Sequence, residues 1–239
     1  MIYLFSDFST NGPYVGQLKS VLYEQTHNAA VIDLMHDAPI FNSQAASHLL
    51  AASLLSVARD SIVLAIVDPG VGSKRKGVAI RADSRWYVGP DNGLFDVVAA
   101  RAHSSTWYEI TYQNKHASNS FHGRDIFAPV TAMLCNETPH EQYLKPLERE
   151  SNGGDDLMEI IYVDAFGNLM SGIRASSFDD KQSLWFGDVE IKSASTFSDV
   201  NKGDVFCYEN SQGLLEIAIN QGSAKAHFNA SIGDKVGIR

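Results

Sequence analysis

Ser61-Ile-Val-Leu-Ala-Ile-Val-Asp68-Pro-Gly-Val-Gly72-Ser-Lys-Arg75 begins as an unbroken apolar run and stops at a carboxylate and a Pro/Gly turn. The run is rich in β-branched residues and suits a strand buried on both faces. Open α/β sheets place their binding groups at the carboxyl ends of such strands, so Asp68 stands where a ligand group is expected. Arg75 follows closely enough to fold back on Asp68 if the turn is tight. The alternative is an ordinary surface turn with an exposed Asp and Arg.

The segments upstream repeat the pattern. Ile2 to Ser6 reads as a buried strand and ends at Asp7, again a carboxylate at the edge of a polar loop. Pro13 opens a helix, where its missing N–H costs nothing. Val15, Leu18, Val21 and Leu22 give that helix an apolar stripe. Ala29 to Leu34 is the second strand, leading into Asp33-Leu34-Met35-His36-Asp37-Ala38-Pro39, and a helix is expected from about Asn42 to Ala58. The order β-α-β-α-β predicts an α/β domain with a mostly parallel central sheet.

Downstream the character changes. Gly77 to Ala82 and Arg85 to Gly89 read as a hairpin, followed by the turn Pro90-Asp91-Asn92-Gly93, a helix over Leu94 to Ala102 and a strand over Thr106 to Ile110. A polar stretch, Gln113 to Ser120, precedes Phe121-His122-Gly123-Arg124-Asp125 and a helix from Ile126 to Cys135. A His at the mouth of a helix beside Gly either points into a cleft or caps a surface turn. Residues 141–156, with Pro146, Gly153, Gly154 and mixed charge, read as a linker between an α/β domain at 1–140 and a second domain at 157–239. The second domain is a series of short strands separated by Gly/Asn/Asp turns, which predicts a small antiparallel barrel or sandwich.

Composition narrows the function. The net charge of −9 over 239 residues argues against a nucleic-acid footprint, which needs a clustered basic face. No apolar stretch is long enough for a membrane span, and the N-terminus lacks the basic start of a signal peptide. Cys135 and Cys207 are far apart and without metal-ligand spacing, as expected of free thiols in the cytoplasm. There is no GxxxxGK[ST], no complete dinucleotide fingerprint, no HExxH and no GxSxG.

What remains is a set of polar residues at strand ends and turns: Asp7, Asp68, Arg75, His122, Arg124, Asp125, Asp164 and Asn168. An Asp, a His and an Arg together can activate a water, with Arg tuning a pKa or holding an anion. A metal site from Asp7, Asp68 and His122 competes with that reading. Asp164-Ala165-Phe166-Gly167-Asn168 joins an aromatic face to an amide, a pair that reads a purine by stacking and by its edge. Its alternative is a β-turn with a core Phe.

Seven segments in register resemble the S-adenosylmethionine hydroxide adenosyltransferase family, a relative of the fluorinase and chlorinase. They are Ser6-Asp7-Phe8 with Pro13-Tyr14-Val15-Gly16, Asp33 to His36, Val67 to Ser73 with Arg75, Gly89 to Leu94, Phe121 to Pro129, Asp164 with Phe166-Gly167-Asn168, and Asn210-Ser211 with Gly213 to Ala218. The resemblance implies an α/β N-terminal domain and a C-terminal β-barrel. It also implies a homotrimer with substrate bound between one subunit's N-terminal domain and its neighbour's C-terminal domain.

The activity it implies is hydrolysis of S-adenosylmethionine to adenosine and L-methionine, with no cofactor and no metal. The water-activating trio falls on Asp68, Arg75 and His122. Asp7 matches the carboxylate that grips the ribose hydroxyls, and Phe8 lies beside it. Tyr14, Asp164 and Ser211 match positions around the methionine part; Phe166, Asn168 and the backbone near Gln221 match the adenine pocket. Ser9, Gly12, Lys76 and Gly172 depart from the pattern, where Gly, Asp, Arg and Asn are expected. A halide-using transferase and a binding protein with little turnover are the alternative functions.

Overall fold

The computed structural model describes residues 1–150, 153–179 and 182–239. They form two units, Met1–Leu50 with Ser56–Gly154, and Asp155–Arg239 with Ala51–Leu55. Ser151 and Asn152, within the expected linker, lie outside the described residues.

The first unit runs β1 (Ile2–Ser6), α1 (Tyr14–Gln25), β2 (Val31–Met35), α2 (Ser43–Ser53), β3 (Ile62–Ile66), β4 (Gly77–Ala82), β5 (Arg85–Pro90), α3 (Asp96–Arg101), β6 (Ser105–Ile110), α4 (Ala128–Cys135) and β7 (Leu144–Leu147). One seven-stranded sheet has the order β2-β1-β3-β5-β4-β6-β7. The pairs β1–β2, β1–β3 and β3–β5 are parallel. The pairs β4–β5, β4–β6 and β6–β7 are antiparallel, so the parallel half expected from the β-α-β-α-β order is extended by an antiparallel half in which β4 lies between β5 and β6. Pro13 sits just before α1 rather than inside it. Residues 144–147, read as linker, pair with β6 as the edge strand of this sheet. Edge strands tolerate a proline, because its missing N–H faces away from the ladder.

β1 and β3 are buried throughout, as their uniform apolarity requires. Ile2, Leu4, Ile62, Leu64 and Ile66 join Leu18 and Leu22 of α1 and Ala128 and Val130 of α4 in one core. By strand alternation, Tyr3, Phe5, Val63 and Ala65 face the other way. On that side α3 begins after Phe95, whose ring packs on Tyr87 of β5. The chain leaves β1 for β2 on one side and returns to β3 on the other. The carboxyl ends of β1 and β3 therefore flank a topological switch point, where this kind of sheet opens a crevice.

The second unit runs β8 (Leu157–Val163), β9 (Leu169–Arg174), β10 (Leu184–Phe186), β11 (Val189–Ile191), β12 (Val205–Glu209), β13 (Leu214–Ile219), α5 (Ala224–Phe228) and β14 (Val236–Ile238). It holds two antiparallel sheets, β12-β13-β9-β8 and β11-β10-β14, around a core that includes Ile160, Leu169, Ile191 and Ile217. The expected barrel is therefore corrected. Among the described residues no sheet closes, and the two sheets share a core but pair only through isolated bridges at Glu159–Lys235 and Ser193–Cys207. Strands β10, β11 and β14 are three residues long, too short to carry a ladder around a closed wall.

Candidate active site

In the first unit the crevice is a pocket of about 400 Å³ lined by Asp7, Phe8, Tyr14, Phe41, Asp68 and His122, with Ile40, Val71 and Phe121 among its apolar walls. Asp7 and Asp68 reach it because they follow β1 and β3, whose ends are tied by the bond from Asp7 N to Ile66 O at 3.3 Å. The turn after β3 does fold back. Arg75 Nη2 donates to Asp68 Oδ2 at 2.6 Å, in a pair whose side chains are almost wholly buried. Arg75 is fixed further by Nη1 on Lys76 O and by the Phe127 ring, 5.3 Å from its guanidinium carbon. Gly72 makes the turn possible. Its φ is +80°, and a Cβ there would come within 2.6 Å of Asn119 O. Only glycine lets the 113–120 loop approach so closely.

His122 enters from that loop, one residue before a π-type turn at Gly123–Phe127 that runs into α4. Its Nδ1 lies 3.3 Å from Arg75 Nη2. A guanidinium only donates, so Nδ1 accepts and the ring proton is assigned to Nε2. Burial holds the His122 pKa below 6.5, and the Arg75 charge lowers it further. The ring is therefore neutral near pH 7. Burial pushes Asp68 and Asp7 above the usual carboxylate value, with Arg75 opposing the shift at Asp68 and the Asp68 charge adding to it at Asp7. Asp68 Oδ1 is buried and accepts no hydrogen bond of good geometry among the described residues, though the Gly70 N–H is near enough to the carboxylate to favour its charged form. A buried carboxylate oxygen left open beside a pocket is available to a proton that arrives with a ligand.

Phe8, Tyr14 and Phe121 form an aromatic wall, with ring centroids 5.4–5.8 Å apart. Arg124 and Asp125 do not line this pocket. Arg124 chelates Asp125 through Nε and Nη2 at 2.6 and 2.9 Å, and Asp125 Oδ2 accepts from Ser118 N, which fixes the loop that presents His122. No group of three or more His, Cys, Asp or Glu among the described residues is arranged for a metal, and Asp7, Asp68 and His122 are no exception. A larger cavity of about 600 Å³ lies around Met1, Ser61, Trp86 and His140. It opens at the amino ends of β1 and β3, away from the carboxylates, and contains no unpartnered buried polar side-chain atom among the described residues.

The second unit carries its own pocket of about 570 Å³, lined by Asp164, Phe166, Asn168, Phe197, Tyr208, Ile219, Gln221 and Gly222. The turn from β8 to β9 builds one side. Asp164 Oδ1 accepts from Phe166 N at 2.9 Å and Asn168 N at 2.8 Å, and Oδ2 accepts from Asn168 Nδ2 at 2.9 Å. The Asp164 carboxylate is thus occupied in holding the turn, and it fixes which way the Asn168 amide faces. Gly167, at φ +84°, leaves no room for a Cβ against Ser223 Oγ. Phe166 is 77% exposed and is not a core residue. Ser211 is absent from this pocket's lining. It sits in the β12–β13 turn, with β13 separating it from Gln221.

Ile40, Phe41, Phe197 and Tyr208 were not found from the sequence. Phe41 is held at φ +59°, with its N donating to Asp7 Oδ2 at 3.5 Å, a backbone state no residue pattern announces. Two of the departures are accommodated locally. Lys76 pairs with Glu109 at 2.8 Å on the sheet surface. Gly172 is buried in β9, where a Cβ would meet Leu157 O at 2.6 Å.

Comparison with known proteins identifies the family. The family model for the SAM hydroxide adenosyltransferase N-terminal domain matches residues 2–143, and that for the C-terminal domain matches residues 158–237. The chain is 34% identical, over 94% of its length and 93% of the relative's, to a protein of Thermus thermophilus named (R)-S-adenosyl-L-methionine hydrolase. A Methanocaldococcus jannaschii protein of the same name is 29% identical, covering 100% of this chain and 95% of its own. A fluorinase from Actinopolyspora mzabensis is more distant, at 21%. Among solved structures, an uncharacterized conserved protein from Thermotoga maritima superposes with a TM-score of 0.88 at 32% identity, covering 100% of this chain and 99% of its own.

Proposed function

We propose, from the premise that this chain belongs to the SAM hydroxide adenosyltransferase family, that it hydrolyses S-adenosyl-L-methionine to adenosine and L-methionine. The observation that carries the reading is the Asp68–Arg75–His122 cluster, with one Asp68 oxygen held by Arg75 and the other open. The nucleophile is a water bound between Asp68 and His122. The His122 Nε2–H donates to its oxygen, and Asp68 Oδ1 takes its proton as the oxygen closes on C5′. The C5′–S bond breaks as the C5′–O bond forms, the bonding pair passes to sulfur, and methionine leaves with a neutral thioether. No acid is needed for that leaving group and no cofactor enters the balance. The pocket supplies position and removes bulk water from the nucleophile. The Phe8, Tyr14 and Phe121 rings suit the sulfonium charge, which aromatic faces attract.

The curated relatives are named for the (R) form of the substrate. We take this as the configuration at sulfur and extend it to this chain as its preferred epimer. Asp7 would take the ribose hydroxyls, Phe166 and Asn168 the adenine, and the backbone at Gln221 its edge. A homotrimer follows from the same resemblance, with each site completed by the first unit of one copy and the second unit of another. Large apolar side chains exposed around the two pockets, Phe41 at 75% and Phe166 at 77%, support it. A cytoplasmic location accords with two free cysteines.

The test is incubation with both sulfur epimers in water enriched in ¹⁸O. Adenosine carrying ¹⁸O at the 5′ position, formed faster from the (R) epimer, is the expected result. Recovery of unchanged substrate from an intact, folded protein would overturn the enzyme reading, and a 5′-halogenated nucleoside with added chloride would move the protein to the halide branch. Mixing Asp68→Asn with Phe166→Ala protein, assayed at substrate below the raised KM, tests the shared site, since activity returns only if both lesions can fall in one site of a mixed oligomer and leave another site intact.

A further inference from the structure

A chain of hydrogen bonds runs through the first unit to the Asp7–Phe8 segment, and the cluster around Asp68 does not use it. Its origin is an irregularity in the sheet. β1 and β2 pair Leu4 with Asp33, but the next pair is Phe5 with Met35, so Leu34 is an extra residue. A bulge of this kind re-aims the side chains that follow it. Here His36 lands beside Ser6, both buried. Lys19 Nζ donates to Asp33 Oδ2 at 2.6 Å, and His36 Nε2 lies 2.9 Å from Asp33 Oδ1. Ser6 Oγ lies 2.8 Å from His36 Nδ1 and 3.4 Å from Phe8 N.

The donors resolve in one direction. Desolvation works against ionised Asp33, yet the hydrogen bonds from His36 and Lys19 hold its pKa below the usual value. The Asp33 carboxylate accepts, so His36 Nε2 donates and its Nδ1 offers a lone pair. Ser6 must then donate to Nδ1, which leaves the Ser6 oxygen free to accept from Phe8 N–H. The His36 backbone carbonyl closes the other end by accepting from Ser9 N at 2.6 Å. Asp7 and Phe8 are thus bracketed by one histidine, through its side chain on one flank and its carbonyl on the other.

Ser, His and Asp in this order resemble a nucleophilic triad. Ser6 is only 1% exposed, so it does not meet a substrate. We infer that Ser6 and His36 are positioning residues, which hold the Asp7–Phe8 segment so that the Asp7 carboxylate meets the ribose hydroxyls. The inference rests on the proposed ribose role of Asp7.

The experiment measures binding of adenosine and of 2′,3′-dideoxyadenosine to the full chain by calorimetry. A charge-assisted hydroxyl pair predicts that the intact protein favours adenosine by roughly 10- to 100-fold. Asp7→Asn lowers that ratio to about 2-fold, and Ser6→Ala and His36→Leu lower it to about 3-fold. His36→Asn, whose amide oxygen replaces the Nδ1 acceptor, restores about 10-fold. A merely structural role would weaken both nucleosides alike. A full ratio in Ser6→Ala with equal loss of both ligands would therefore overturn the inference. A full ratio in Asp7→Asn would instead overturn the ribose role of Asp7 and the inference with it. Should His36→Leu fail to fold, Ser6→Ala decides, because it removes a single oxygen.

Discussion

The two pockets use carboxylates in opposite ways. In the first unit Asp68 gives one oxygen to Arg75 and keeps the other open, although buried. In the second unit Asp164 gives both oxygens to its own turn. A desolvated acceptor without a partner is costly to a fold and useful to a reaction. A saturated one stabilises a shape and reacts with nothing. On the proposed function, the contrast places bond breaking at Asp68 and leaves Asp164 to shape a pocket for recognition. Changes at Asp68 or His122 should therefore act on kcat, and a change at Phe166 on KM.

The sharpest way to break this division is Asp68→Asn. The amide keeps the shape and can still bond Arg75 or its surroundings, but it cannot take a proton. Loss of a positioned general base is worth about 10²–10⁴-fold, so kcat should fall by roughly 10³ with KM little changed. Steady-state kinetics on the (R) epimer measure it. A kcat within a few-fold of the parent would remove Asp68 as the base and with it the basis of the comparison.

His122 gives the next effect. Its Nδ1 accepts from Arg75 only while the ring is neutral. Its pKa lies below 6.5 because burial and then Arg75 disfavour the charged form. As pH falls through that pKa the ring gains a proton, turns Nδ1 into a donor facing a guanidinium, and loses its place. The kcat/KM profile should be level above pH 6.5 and fall on the acid side. His122→Ala should cost about 10²-fold and abolish that step. A limb that survives in the variant would belong to another group.

How much of this could be read from the residues varies by element and for physical reasons. β1 and β3 were plain because strands buried on both faces must be apolar at every position. The carboxylates at their ends followed from sheet topology. The fold-back of Arg75 on Asp68 was legible in the short turn between them, but that His122 joins them came from the resemblance alone, since 47 residues separate Arg75 from His122 and no periodicity spans that gap. β7 was hidden by Pro146 and the charges around it, which read as linker but are also what an edge strand allows. Closure of the C-terminal sheets depends on edge pairing, and short strands with tight turns look the same in a barrel and in two open sheets. Phe197 and Tyr208 reached their pocket through tertiary packing, so they carried no local signal.

The second pocket answers to Phe166→Ala. Stacking of a base on an aromatic ring contributes about 1–3 kcal/mol, so KM should rise roughly 5- to 100-fold while kcat stays within about 2-fold. A fall in kcat with KM unchanged would place Phe166 at the reacting atoms and erase the division between the pockets.

The smallest effect separates the two loops rather than their side chains. The turn in the second unit places a glycine at its left-handed position, Gly167. The loop after Asp7 places Ser9 there, at φ +58°, where the resemblance implied Gly. A left-handed non-glycine residue costs about 1–2 kcal/mol. Ser9→Gly relieves that, but it adds about 0.5–1 kcal/mol of unfolded-state entropy. It also removes the exposed bond from Asn11 N to Ser9 Oγ at 3.2 Å. The net expectation is a gain of about 0.5 kcal/mol, read as a small rise in the urea midpoint with an unchanged slope. Activity is the sharper reading. If the strain serves to hold Asp7 in place, kcat/KM falls in the more stable variant; if the His36 bracket alone holds it, kcat/KM is unchanged.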